Sequence, residues 1–208
     1  MDSYQCVELL APRITDELII TNLGGVAREL YYLKDREGNL YRPYMAFPTP
    51  MALGLALALP HRRVISLDGD GSILLGLTIL PAIAQQNPSN LIVIILDNQA
   101  YEATGGPPTF TAGKTDLSGM AREAGVPNTW LVRDLREFEG AVDAAYQAEG
   151  ASFITAKVDI SSRRIPYYSL DGVENKYRFV HYVEKTESIN ILKKPKKPLP
   201  QDKMIKHQ

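Results

Sequence analysis

Val64-Ile65-Ser66-Leu67-Asp68-Gly69-Asp70-Gly71-Ser72 opens as an apolar run and closes on an acid set between two glycines. A second apolar run, Leu91-Ile92-Val93-Ile94-Ile95-Leu96, ends two residues before Asn98, which stands 26 positions beyond Ser72. Each run is short, continuous and rich in leucine or β-branched residues, so each reads as a strand covered on both faces. If the two are parallel neighbours, the acid and the amide meet at the carboxyl ends, where open α/β sheets hold ligands. One carboxylate, one amide oxygen and a nearby backbone carbonyl suit a hard divalent cation such as Mg²⁺, which completes its octahedron with phosphate oxygens. The pattern therefore predicts a diphosphate site. Taken alone, Gly-Asp-Gly also reads as a plain tight turn. Gly69 and Gly71, lacking a Cβ, let backbone approach phosphate oxygens closely. Ser72 is expected to start a helix over 73–86 whose first amides favour an anion, with Pro81 kinking or dividing it.

Strands and helices alternate through the rest of the chain. Ser3 caps a predicted helix to about residue 10, and 18–21 reads as a strand followed by a turn at 22–25. Helices are expected over 26–33, 50–59, 116–124, 134–148 and 173–188, with strands at 129–132 and 153–158 and a polar loop at 35–39. Pro50 takes a favoured first-turn position, and Asp134 with Glu137 forms a capping-box-like start. This alternation predicts an α/β fold, a doubly wound, mostly parallel sheet with helices on both faces. A dinucleotide-binding domain shares that pattern, but Asn22-Leu23-Gly24-Gly25-Val26-Ala27 lacks the Gly-x-Gly-x-x-Gly turn it requires.

The 208 residues, 45% hydrophobic, suffice for one cored domain, expected over 1–190. Residues 191–208 form a basic, Pro/Lys-rich tail with six lysines and one acid, read as a solvated terminus or an arm for an acidic partner subunit. The body ahead of it carries a net charge of −6 and the tail lacks interleaved aromatics, which argues against nucleic acid as a partner. No stretch approaches the roughly 20 apolar residues of a membrane span. The amino terminus lacks the form of a signal peptide. Cys6 is the single cysteine, so internal disulfides and cysteine-ligated clusters are excluded and a cytoplasmic location is expected.

Gly69-Asp70-Gly71 with its spacing to Asn98 resembles the signature of the thiamine diphosphate (ThDP) enzymes, in their diphosphate-binding domain. The resemblance implies ThDP and Mg²⁺ as cofactors, with Asp70, Asn98 and the carbonyl of Ala100 on the metal. It implies cofactor contacts at Pro43, Tyr44, Met45, Gly69, Asp70, Gly71, Ser72, Asn98, Ala100 and Tyr101. Met45, 25 positions before Asp70, falls where the family places a large apolar wedge that bends the cofactor into a V. Methionine is large, flexible and polarizable enough for that role; the other reading is ordinary core. Where the family has glycine around the wedge, this chain has Pro43 and Ala46.

Within the family the chain is most similar to the sulfopyruvate and phosphonopyruvate decarboxylase branch, over about residues 15–188. The matching runs include Arg28-Glu29-Leu30-Tyr31, Gly54-Leu55-Ala56-Leu57-Ala58-Leu59, Asp97-Asn98-Gln99-Ala100-Tyr101-Glu102-Ala103-Thr104-Gly105-Gly106 and Phe179-Val180-His181-Tyr182-Val183-Glu184. Pro107-Pro108 departs from the branch. The implied activity is decarboxylation of a small 2-oxo acid by a two-subunit enzyme. This chain would bind the diphosphate, and a pyrimidine-binding partner would supply the catalytic Glu, in a heterodimer or α₂β₂ assembly. A carboligase of the same architecture is an alternative, and so is a non-catalytic regulatory subunit, although the latter predicts loss of Asp70 and Asn98. The segment 104–113 reads as a surface turn or as a wall of the active site. Thr104, Gly105 and Gly106 are candidate substrate contacts, Thr109 and Thr111 could meet a polar substrate end, and Lys114 an anionic one. Arg163 and Arg164 are candidates for an acidic substrate group or plain surface charges. His61 and His181 read as surface residues rather than an acid–base pair.

Overall fold

The structure is a computed structural model and describes residues 1–160, 163 and 165–192. The helices are α1 (Ser3–Leu10), α2 (Gly25–Lys34), α3 (Pro48–Ala58), α4 (Asp70–Leu75), α5 (Ile79–Gln86), α6 (Leu117–Glu123), α7 (Leu135–Gln147) and α8 (Gly172–Glu187). The strands are β1 (Leu18–Thr21), β2 (Asn39–Leu40), β3 (Val64–Gly69), β4 (Leu91–Asp97), β5 (Asn128–Val132) and β6 (Ser152–Lys157). They form one sheet in the order β2-β1-β3-β4-β6-β5, with every pairing parallel.

Strand side chains alternate between faces, and the two cores follow that parity. Ile19, Ile65, Leu67, Ile92, Ile94, Leu96 and Ile154 pack with α1, α2 and α7. Leu18, Ile20, Val64, Leu91, Val93, Ile95 and Phe153 pack with α3, α5, α6 and α8. Both faces are buried, which is why β3 and β4 are continuous apolar runs. Cys6 lies inside the first core, where burial pushes its thiol up to about 12 and leaves it an inert apolar group. Among the described residues no helix is long and apolar enough to cross a membrane.

Several boundaries differ from the sequence expectations. The helix after the acid begins at Asp70, not at Ser72, with Gly69 as its cap residue. The predicted helix over 73–86 is two helices, but the break falls at 76–78 rather than at Pro81. Pro81 sits in the first turn of α5, where its missing N–H has no intrahelical partner to lose. Strand β2 lies partly in the stretch expected to be a loop; two polar-flanked residues carry no period to read. Helix α3 starts two residues before Pro50, at Pro48. Asp134 caps α7 by accepting from the Glu137 N–H at 2.8 Å, but Glu137 reaches back to Arg133 N rather than to the cap residue. Residues 193–208 of the expected tail, and Arg164, lie outside the described residues.

Candidate cofactor site

The parallel register of β3 and β4 sets Gly69 beside Leu96 at the carboxyl ends. Asp70 follows β3 directly, and Asn98 follows Asp97, the last residue of β4. The acid and the amide of the motif therefore leave adjoining strands at the same edge.

Asp70 is buried, and its Oδ2 faces two hydroxyls, Thr109 Oγ1 at 2.5 Å and Thr111 Oγ1 at 3.2 Å. Thr111 Oγ1 is closer to Asp97 Oδ1, at 2.7 Å. Each hydroxyl has one proton. The two shorter contacts assign the Thr109 proton to Asp70 and the Thr111 proton to Asp97. Lys157 Nζ pairs with Asp97 Oδ2 at 2.5 Å, from the position opposite Asp97 on β6. Asp97 is thus neutralised locally, whereas Asp70 has hydroxyls and no cation among these contacts. Burial pushes the Asp70 carboxyl above its ordinary range; the Thr109 bond opposes the rise and the Asp97 charge adds to it.

Beyond β4 the chain turns sharply, with Gln99 in the left-handed region at φ 63°. The Asn98 side-chain oxygen accepts from Ala100 N at 3.1 Å, an Asx turn. Residues 99–109 then fold back on themselves. Tyr101 N donates to Pro107 O at 2.9 Å and Thr109 N to Gln99 O at 2.9 Å, flanking a bridge between Ala100 and Pro108. The Ala100 carbonyl, between these bonds, accepts no hydrogen bond among the described residues. The Asp70 carboxylate, the Asn98 amide oxygen and the Ala100 carbonyl are all hard oxygen donors with one charge between them, a set that suits Mg²⁺. Among the described residues no cluster of three His, Cys, Asp or Glu side chains could hold a metal, so a site here must draw on amide and carbonyl oxygens.

The glycines serve close packing in this structure. A Cβ on Gly69 would stand 2.6 Å from the Asn22 side-chain amide, and one on Gly71 would collide with the Tyr101 ring. Ser72 is buried, and its hydroxyl accepts from the Ala46 N–H at 3.0 Å, tying the turn before α3 to α4. Ala46 stands in the left-handed region at φ 70°, and its backbone oxygen lies 3.1 Å from where a Cβ on Gly76 would be. Ala46 thus occupies a conformation that favours glycine, and Gly76 leaves room for it. Met45 is half-buried and belongs to neither core, so it is not ordinary core packing. Pro43 is half-buried beside it and Tyr44 is exposed.

Asp68 escaped the motif reading. It is fully buried; its Oδ1 accepts from Gly69 N at 2.9 Å and its Oδ2 from Thr49 Oγ1 at 3.0 Å. Burial lifts its carboxyl to about 6, against hydrogen bonds from Ser72, Gly69 and Thr49 that pull it down. Asp68 thereby clamps the turn of β3 to α3. Asp97 and Lys157 also went unread. Their signal was available, as an acid and a lysine at the ends of two apolar strands.

Other expected contacts fall differently. Thr109 and Thr111 are buried against Asp70 and Asp97, so they do not face a substrate. Thr104 is exposed and bonds Tyr101 O at 3.2 Å, and Gly105 and Gly106 form the left-handed tip of the loop at φ 97° and 79°. Arg163 lies over the Tyr4 ring, 4.2 Å from its centroid, and within 3.9 Å of Asp2. His61 and His181 pair with Glu187 and Glu184 of α8, away from the strand ends.

Residues 27–156 match the model of the thiamine pyrophosphate enzyme C-terminal TPP-binding domain. The chain belongs to that family. It is a TPP-binding domain with a six-stranded parallel sheet. It is similar to the sulfopyruvate decarboxylase subunit beta of Methanocaldococcus jannaschii, 37% identical over 171 residues, covering 82% of this chain and 90% of that one. It is also similar to the phosphonopyruvate decarboxylase of Streptomyces viridochromogenes, 32% identical over 147 residues, covering 70% of this chain and 36% of that one. Among solved structures it resembles the thiamine diphosphate-dependent 4-hydroxybenzoylformate decarboxylase of Rhodococcus jostii RHA1. There the TM-score is 0.64 and the identity 25%, covering 78% of this chain and 33% of that one.

Proposed function

We propose that this TPP-binding chain is the diphosphate-binding subunit of a Mg²⁺-dependent 2-oxo acid decarboxylase and shares its active site with a pyrimidine-binding partner. The observation that carries the reading is the β3–β4 register, which delivers Asp70 and Asn98 to one sheet edge. When bound, thiamine diphosphate supplies a carbon nucleophile for the 2-oxo group and an electron sink for the pair left as CO₂ departs.

The residues of this chain have separate tasks. Asp70, Asn98 and the Ala100 carbonyl hold the metal, and Thr109 fixes the orientation of the Asp70 carboxylate. Lys157 cancels the charge of Asp97, so the acid beside Asp70 does not add a second uncompensated charge at the metal. Met45, held on the turn that Ser72 anchors, presses on the bound coenzyme. Asp68 ties the end of β3 to α3. His61 and His181 are engaged elsewhere, so the acid–base group comes from the partner, or from the coenzyme and water. The relative named as a beta subunit is matched over 90% of its length, whereas the phosphonopyruvate decarboxylase is matched over 36% of its length. Exposed apolar side chains near the Ala46–Gly76 contact, Tyr44, Phe47 and Leu75, with Met51 one turn beyond Phe47, offer the partner contacts.

The test is reconstitution. The chain is purified with and without a short partner bearing the pyrimidine domain, and CO₂ release from 2-oxo acids is assayed with and without ThDP and Mg²⁺. Activity in the pair alone, abolished by Asp70→Ala, is the expected result. Full activity of the single chain contradicts the shared site.

A further inference from the structure

The chain changes from one face of the sheet to the other between β1 and β3 and changes back between β4 and β5, and the metal motif, on β3 and β4, does not involve the second change. β1 is followed by α2 on one face, while β3 is followed by α4 on the other. β4 leads to α6 on that second face, and β5 leads to α7 back on the first. The order β4-β6-β5 therefore opens another crevice at the carboxyl ends, the kind of place where doubly wound sheets bind ligands. A cavity of about 300 Å³ lies there. That is the lower end of the range for small-molecule sites.

Its lining is cationic. Lys114, Arg133 and Lys157 all border it. Its acids are committed elsewhere: Asp97, just behind, holds Lys157, and Asp116 caps α6 by accepting from Gly119 N at 3.0 Å. Lys114 and the Arg133 guanidinium have no acidic partner among the described residues; the Arg133 contact with Glu137 is through its backbone N–H, at 2.8 Å. Gln99 and Thr115 add neutral donors to the wall. Two unpaired cations and two neutral donors around a half-open pocket match the oxygens of a small anion, and the planar guanidinium favours tetrahedral or carboxylate oxyanions.

We infer that this second crevice binds a small anion carrying a phosphate, sulfonate or carboxylate group, read by Arg133 and Lys114. It lies beside the proposed metal ligands but shares none of them. The anion is either the far end of the 2-oxo acid or a separate small ligand, and the chemistry is the same in both cases.

Calorimetric titration of the full chain with inorganic sulfate at low ionic strength, without ThDP or metal, tests the site independently of the cofactor reading. One saturable site per chain is expected. It should be weakened at least tenfold in the Lys114→Ala/Arg133→Ala double variant and unchanged in Lys176→Ala, a cation on α8. Both replaced cations are exposed, and circular dichroism verifies that the double variant is folded. Displacement of sulfate at least tenfold more effectively by a sulfonated 2-oxo acid than by methanesulfonate assigns the site to the substrate's far end. Equal displacement by the two assigns it to a separate small anion, and displacement by neither overturns the inference. No saturable binding, or binding that survives the double substitution, overturns the inference.

Discussion

Thr111 and Asp97 are joined by a 2.7 Å hydrogen bond in a buried cluster that also holds Asp70, Thr109 and Lys157. Removing this hydroxyl strips one donor from a buried carboxylate while leaving its lysine in place. Thr111→Val should cost about 1–3 kcal/mol in urea denaturation of the full chain, and Thr111→Ser should restore most of it. A variant as stable as the parent would show that the bond contributes nothing.

Glu29 is a buried carboxylate on α2 whose Oε1 accepts from Ser3 Oγ at 2.8 Å while its Oε2 has no partner among the described residues. Burial, more than any neighbour, lifts it from 4.5 to about 7. The folded state therefore keeps its proton to higher pH than the unfolded state does. The associated stability is complete below about pH 4.5 and is lost as pH rises through 7. Glu29→Gln should flatten that fall, gaining on the order of 2–3 kcal/mol at pH 8 and little at pH 4.5. Denaturation curves across pH 4.5–8 check it; a parallel pair of profiles contradicts it.

Ala46 occupies the left-handed region. Ala46→Gly relieves that strain while adding freedom to the unfolded chain. A net gain on the order of 0.5–1 kcal/mol is expected from the thermal midpoint. A loss would mean that the alanine methyl packs better against Gly76 than its backbone angle suggests.

Met45 lies outside both cores, so Met45→Ala should leave the melting temperature within a few degrees of the parent. If the side chain presses on the coenzyme, kcat of the assembled enzyme should fall at least tenfold. Unchanged kcat would remove Met45 from the site.

The buried strands and the acid and amide at their ends were legible because β3 and β4 are covered on both faces, so their periodicity is uninterrupted. The same physics hid the supporting shell. Asp68, Asp97 and Lys157 look like ordinary strand residues until register pairs Asp97 with Lys157 and folding brings Thr49 to Asp68. Thr109 and Thr111 read as contacts for a polar substrate end because their loop follows the metal motif directly, but the Ala100–Pro108 bridge turns them inward onto Asp70 and Asp97. The break before α5 was placed at Pro81, since proline is the stronger breaker in isolation. The chain instead breaks at 76–78, where Gly76 sits against Ala46. Strand β2, at two residues, has no period to detect.

The central claim is that Asp70, Asn98 and the Ala100 carbonyl grip one magnesium ion on the coenzyme diphosphate. A crystal structure of the chain with its partner, ThDP and Mg²⁺ measures this directly. The account predicts the ion about 2.0–2.1 Å from an oxygen of each of these three residues and from the diphosphate. An ion held elsewhere, or a diphosphate bound with Asp70 still turned only to Thr109 and Thr111, would contradict it.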